Sequence, residues 1–149
     1  MSSDPEDIRG WQRLDADTTT SGRIEASDVE RLAAMGVKHV VNLALDDHVE
    51  ALAGEGALLG KRGIAYTHIP VPFDQPGDTH FEQFKQAIAE PGPVHVHCIM
   101  NWRVSAFFCR LNRERGMDEC AARALMHQQW APEISNDPRA KVWADFIEQ

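Results

Sequence analysis

A chain of 149 residues is the length of one domain and can bury about 70% of the surface its unfolded form exposes. No stretch approaches the ~20 apolar residues of a membrane span, and a net charge of -8 argues against a general nucleic-acid binder, which needs a basic face. Three cysteines without paired spacing suggest free thiols in a reducing compartment, and the polar, acidic start carries no secretory or transit signal, so the expected location is cytoplasmic.

Residues 1–7 read as a loose lead-in. Ile8 to Leu14 and Thr18 to Arg23 supply two short strands around a turn. Ser27-Asp28-Val29-Glu30 matches a capping box, Val29, Leu32 and Ala33 share a helical face, and Gly36 ends that helix. Val37 to Leu45 is a near-continuous apolar run, as in a strand covered on both faces. Asp46 and Asp47 read as the start of a second helix, from about His48 to Lys61, weakened by Gly54, Gly56 and Gly60. Ile64 to Val71 is a strand closed by Pro70 and Pro72, and a proline-bounded loop leads to a helix from Thr79 to Glu90, opened by Thr79-x-x-Glu82. After Pro91-Gly92-Pro93 a β-branched strand runs to His97. Beyond Arg103 a helix starting near Val104 buries Val104, Phe107, Phe108 and Leu111 and is capped by Gly116. Met117 to Trp130 and Pro138 to Phe146 supply two closing helices. Strands alternating with helices predict a single α/β domain of three layers, residues 1–149, with a mainly parallel central sheet flanked by helices. Ligands in such sheets bind at the carboxyl ends of strands.

Cys98 stands at such an end, followed by Ile99, Met100, Asn101, Trp102 and Arg103 before the next helix. Backbone N–H groups of a strand–loop–helix turn converge on one point, and the helix dipole adds positive potential, so residues 99–103 form a candidate phosphate-binding cradle. The same field stabilises a thiolate. In that reading Cys98 is the nucleophile, Arg103 grips two oxygens of the anion, and a carboxyl protonates the leaving group. Asp74 and Asp78 both lie in the upstream loop. Asp74 is preferred, because Asp78 sits at a helix start where capping explains it. His97 points to the opposite face of its strand from Cys98 and is expected to support the loop. Asn101 is the loop residue that most readily takes positive φ. Ser105 is placed to donate a hydrogen bond to the sulfur. Trp102 either packs beneath the loop or walls its rim. His95 and His97 share a strand face without a third ligand, so no metal is expected, and the chemistry requires no cofactor. Cys109 and Cys120 read as structural.

His97-Cys98, Arg103 and Ser105-Ala106-Phe107 resemble the signature of the cysteine-dependent, dual-specificity-like protein phosphatases, in the HC-x-x-N-x-R-x-S-A-F form of their small bacterial branch. Thr20-Ser21-Gly22-Arg23, Val41-Asn42-Leu43, Gly63-Ile64-Ala65-Tyr66 and His68-Ile69-Pro70-Val71 follow that branch's order. The resemblance implies hydrolysis of a phosphate monoester, on a phosphorylated protein or a small phosphate ester, through a phosphocysteine. The departure is one of spacing: the signature places arginine six positions after cysteine, and here it is five. Either the loop wraps a smaller space, or Arg103 emerges elsewhere on its rim, which requires it to lie within the non-helical turn. A loop of this length also resembles that of rhodanese-type sulfurtransferases, whose cysteine carries a persulfide. A third reading is a catalytically silent anion-binding module.

Overall fold

The computed structural model describes residues 4–149. Five strands form one sheet in the order β1-β2-β5-β3-β4: β1 (Gln12–Asp15), β2 (Thr18–Ser21), β3 (His39–Asn42), β4 (Ala65–His68) and β5 (Val94–His97). Only the β1–β2 hairpin is antiparallel, and the other three pairings are parallel. β5 lies at the centre, its His97 level with Ser21 of β2 and Asn42 of β3.

β3 shows why both faces are covered. Val40 packs into a cluster with Val29, Leu32, Leu59 and Ile64, while its neighbour Val41 joins a larger one with Phe81, Phe84, Phe107 and Trp143. Successive strand residues face opposite sides, so two helical layers follow. One holds α1 (Ala26–Ala34) and α2 (Glu55–Gly60). The other holds α3 (Asp78–Ile88), α4 (Trp102–Glu114), α5 (Glu119–His127) and α6 (Ala140–Ile147). No helix is long and apolar enough to cross a membrane among the described residues.

Local chemistry shifts several expected boundaries. Residues 1–3 of the expected lead-in lie outside the described residues, but Asp4 is held by Arg13 and Trp11. Helix α1 begins two positions earlier than Ser27 implies, because the Asp28 carboxylate accepts the Glu25 N–H at 2.9 Å. At α3 His80 Nδ1 accepts the Gly77 N–H at 3.1 Å, and Glu82 pairs with Lys85 instead of capping. The helix expected from His48 to Lys61 shrinks to α2, since Gly54 takes φ 68° and cannot continue a right-handed helix. Its first half is a turn in which His48 Nδ1 accepts the Glu50 N–H at 3.0 Å. Cys109 is buried, but Cys120 is exposed.

Candidate active site

β5 delivers Cys98 to the mouth of the sheet, and four residues later α4 begins at Trp102, two positions earlier than the sequence suggests. The turn closes at Asn101, whose φ of 67° is the one positive value at a non-glycine residue among the described residues. That conformation costs about 1–2 kcal/mol. The Asn101 side chain offsets part of it by donating to the Gly10 carbonyl at 2.7 Å and to Thr20 Oγ1 at 3.0 Å.

The loop's carbonyls are anchored away from the turn's interior. Cys98 O lies 3.2 Å from His97 Nδ1. Ile99 O accepts from the Arg23 N–H at 2.9 Å and from Arg9 Nη1 at 3.4 Å. Asn101 O accepts the Ser105 N–H, and Trp102 O accepts from Ser105 Oγ and Trp130 Nε1. A trans peptide holds its C=O and N–H in opposite directions, so anchoring the Cys98 and Ile99 carbonyls outward aims the Ile99 and Met100 amides inward. No protein acceptor meets the amides of residues 99–104 among the described residues. Gly22 makes this packing feasible: a Cβ there would stand 2.5 Å from the Ile99 carbonyl oxygen.

The hollow above Cys98 has a volume of about 290 Å³ and is lined by Leu45, His48, Phe73, Ile99, Met100, Trp102, Arg103 and Arg139 besides the cysteine. Arg103 lies in the first turn of α4, is 6% exposed, and forms no ion pair with any described residue. Its Nη1 donates to the Val71 carbonyl at 2.9 Å and its guanidinium stands 5.7 Å from the Phe73 ring. The other guanidinium nitrogens have no protein partner and are not sealed off, which leaves them to the cavity. Arg103 therefore reaches the site from within the helix, not from a non-helical turn. Trp102 resolves as a wall: it lines the cavity and stacks on Trp130 at 4.8 Å and 2°.

Two expected participants stand elsewhere. Asp74 is exposed and borders a separate hollow with Asp78, Asp145 and Phe146. Asp78 opens α3 and pairs with Arg110 at 3.0 Å. Ser105 Oγ donates to Trp102 O at 3.1 Å, and no hydrogen bond joins it to Cys98. The His97 ring lies between the loop and α2, its Nδ1 3.2 Å from the Cys98 carbonyl and its Nε2 held 2.6 Å from Glu55 Oε2 in a pair nearly closed to solvent.

Five contributors escaped the sequence reading. Arg139, at the rim, lies 4.5 Å over Phe73, and its hydrogen bonds to Asp137 raise its own pKa and hold that carboxyl down at about 2. His48 lines the same cavity. Arg9 ties the N-terminal segment to Glu50 and to the loop. Glu55 carried no local signal, since it sits between two glycines. Phe73 alone had one, as the aromatic residue beside Asp74. His95, next to His97 on β5, is fully enclosed and held well below the usual histidine pKa by burial first and by His97 second. Among the described residues no cluster of His, Cys, Asp and Glu is suited to hold a metal ion.

No family model matches the sequence, and no curated protein matches it. Solved structures do. A DUF442 protein from Shewanella putrefaciens, described as a candidate phosphatase, shares 26% identity over 96% of this chain and 93% of its own, with a TM-score of 0.80. TpbA from P. aeruginosa, in a Cys-to-Ser form bound to pTyr, shares 22% over 99% and 86%, with a TM-score of 0.70. The core catalytic domain of the PP-IP phosphatase SIW14 from S. cerevisiae shares 11% over 95% and 85%, with a TM-score of 0.76. With the Cys98-bearing strand at the centre of the sheet and the loop after it running into a helix, this chain has the cysteine-dependent phosphatase fold.

Proposed function

We propose that the protein is a cysteine-dependent phosphatase that hydrolyses a phosphate monoester through a phosphocysteine. The observation that carries this reading is the outward anchoring of the loop carbonyls, which turns the loop amides toward the cavity shared by Cys98 and Arg103. A phosphoryl group seated there accepts hydrogen bonds from those amides and from the free nitrogens of Arg103. The Cys98 thiolate attacks phosphorus, an S–P bond forms, and the ester P–O bond breaks. The leaving oxygen takes a proton from Asp74. Water then attacks the phosphocysteine, releasing inorganic phosphate and restoring the thiolate.

Asp74 follows Phe73, a wall of the cavity, and its charge is felt by Arg139 at the rim. It acts once the segment after Phe73 closes over bound ester, as catalytic contacts commonly tighten in the substrate complex. Ser105 assists the departing sulfur only by exchanging its bond to Trp102 O for one to Cys98. The apolar walls of Leu45, Phe73, Met100 and Trp102 suit an aryl ester such as protein phosphotyrosine, with phosphoserine and small phosphate esters as the other candidate substrates. Unpaired Cys98 fits a reducing, cytoplasmic setting.

The test is turnover of an aryl phosphate by the wild type, Cys98→Ser and Asp74→Asn, run beside transfer of sulfur from thiosulfate to cyanide. Phosphate release abolished by Cys98→Ser supports the proposal. Thiocyanate formation without phosphate release replaces it with the rhodanese-like reading. Phosphate or vanadate binding with neither activity leaves a silent anion-binding module.

A further inference from the structure

We propose that Glu55 is a positioning residue for the Cys98 loop, setting the direction of the Cys98–Ile99 peptide through His97. The inference rests on the phosphatase reading above and names a residue that belongs to neither the loop nor the cavity. Glu55 opens α2, in the helical layer opposite the one that carries α4, and its side chain is 4% exposed. A carboxylate so enclosed is costly unless paired, and a hydrophobic residue would close the same space more cheaply. The carboxyl is held where it meets one ionisable partner, the His97 ring.

Both neighbours of that ring are acceptors. Nε2 faces the Glu55 carboxylate at 2.6 Å and Nδ1 faces the Cys98 carbonyl at 3.2 Å. The Glu55 carboxyl fixes which ring nitrogen faces it, so Nδ1 is the one turned to the Cys98 carbonyl as donor. The 2.6 Å contact behind it is of the short, charge-assisted kind, stronger than a neutral hydrogen bond. Because the peptide is planar, fixing its oxygen fixes the opposite N–H of Ile99, the first amide of the anion cradle.

The carboxylate is itself oriented. Asn42 Nδ2 stands 3.5 Å from Glu55 Oε1 and donates to Tyr66 Oη at 3.2 Å, while Asn42 Oδ1 accepts the Ala44 N–H at 2.9 Å and so fixes which way the amide points. The other titratable groups facing the pair are His95, with its ring 6.3 Å from that of His97, and Tyr66. Burial holds His95 neutral; Ser21 Oγ donates to Gly22 O and so accepts from His95 Nε2, which leaves the bare Nδ1 to accept from Thr19 Oγ1. Tyr66 is pushed up to about 12, chiefly by burial. Neither neighbour therefore takes up or gives up a proton near neutral pH.

The experiment reads Cys98 directly. Carbamidomethylation by iodoacetamide is followed at Cys98 by mass spectrometry, with inorganic phosphate as protectant, so the readout needs no ester turnover. Glu55→Gln is expected to weaken phosphate protection about 10-fold, the scale of one lost charge-assisted hydrogen bond, and to lower kcat for an aryl phosphate more than it raises KM. In a His97→Asn background the amide can donate to the Cys98 carbonyl without a carboxylate behind it, and adding Glu55→Gln then changes protection less than twofold. Protection by Glu55→Gln within twofold of wild type overturns the proposal, as does an undiminished Glu55→Gln effect in the His97→Asn background. If Glu55→Gln does not fold, Glu55→Asp, which keeps the charge but retracts it by one methylene, has to show the loss, and wild-type protection in it overturns the proposal. A wild type whose Cys98 phosphate does not protect overturns the cradle itself, and this proposal with it.

Discussion

Gly22→Ala places the sharpest demand on the loop geometry, because Gly22 is neither catalytic nor in the cavity. Its Cβ would lie 2.5 Å from Ile99 O and 3.1 Å from Ile99 C. Carbon–oxygen contacts settle at about 3.3–3.6 Å, so about 0.8 Å of separation has to be found between two stretches of backbone. The Ile99 carbonyl cannot retreat without lengthening its 2.9 Å bond from the Arg23 N–H, the bond that aims the Met100 amide inward. Overpacking of this kind costs about 1–3 kcal/mol, which lowers Tm by about 3–10 °C in a domain of this size. Misplacing catalytic groups by about 1 Å costs up to about 100-fold in rate, so kcat/KM for an aryl phosphate should fall 10- to 100-fold at a temperature where both proteins are folded. Gly36→Ala is the control. Gly36 has φ 90° with open space around it, so alanine there is strained but touches nothing near Cys98, and it should lower Tm while sparing activity. A folded Gly22→Ala with kcat/KM within twofold of wild type would refute the argument that Ile99 O sets the cradle.

Arg103→Lys keeps the charge but loses the planar fork, and should cost about 100-fold in kcat/KM with little change in Tm. Asp74→Asn should slow hydrolysis of an alkyl phosphate far more than that of a para-nitrophenyl ester, whose leaving group needs no proton. If His48→Gln shows that selectivity and Asp74→Asn does not, the proton comes from the histidine already lining the cavity. Stability should fall in mild acid. His95, and to a smaller degree His39, are held below the ordinary histidine pKa, in each case first by burial. The unfolded chain therefore takes up protons below about pH 6.5 that the folded one refuses, at up to about 1.4 kcal/mol per pH unit for each group. Carboxylates held low, such as Glu133 and Asp137, act only below about pH 4.5. Urea midpoints equal at pH 7.5 and 5.5 would contradict this.

The sheet and the position of Cys98 were legible because strand burial writes itself into consecutive residues. Val40-Val41 and Val94-Val96 announce covered strands, and Asn101 announces a left-handed turn in a loop without glycine. What failed was local competition. Ser27 and Thr79 both look like caps, but Asp28 and His80 reach the free N–H groups first. The stretch after Asp46 has helical composition, yet its turn is held by His48 on the Glu50 amide and is closed by Gly54. Glu55, Arg9, Gly22 and Arg139 were invisible for a different reason. Each stands more than 30 positions from the loop in the chain, and nothing in a residue's own neighbourhood reports which distant group it will meet.

The shortened cysteine-to-arginine spacing raised the question of whether a side chain one position early, rotated ~100° about a helix, could still face the anion. The start of α4 answers it. Side chains in a helix lean toward its N-terminus, so a long arginine in the first turn reaches back over the loop that precedes it, and the Val71 carbonyl pins one of its nitrogens there. Val104, where the longer spacing would put the arginine, is fully enclosed in the core with Val71, Phe81 and Phe107. The two positions are therefore not interchangeable. The double substitution Arg103→Val with Val104→Arg restores the longer spacing but buries an unpaired guanidinium, at a cost of about 3–5 kcal/mol, so it should yield an inactive protein with a Tm lowered by at least about 6 °C. Recovery of activity in that variant would mean the loop can adopt the longer register, and that the helix start at Trp102 does not fix where the arginine must stand.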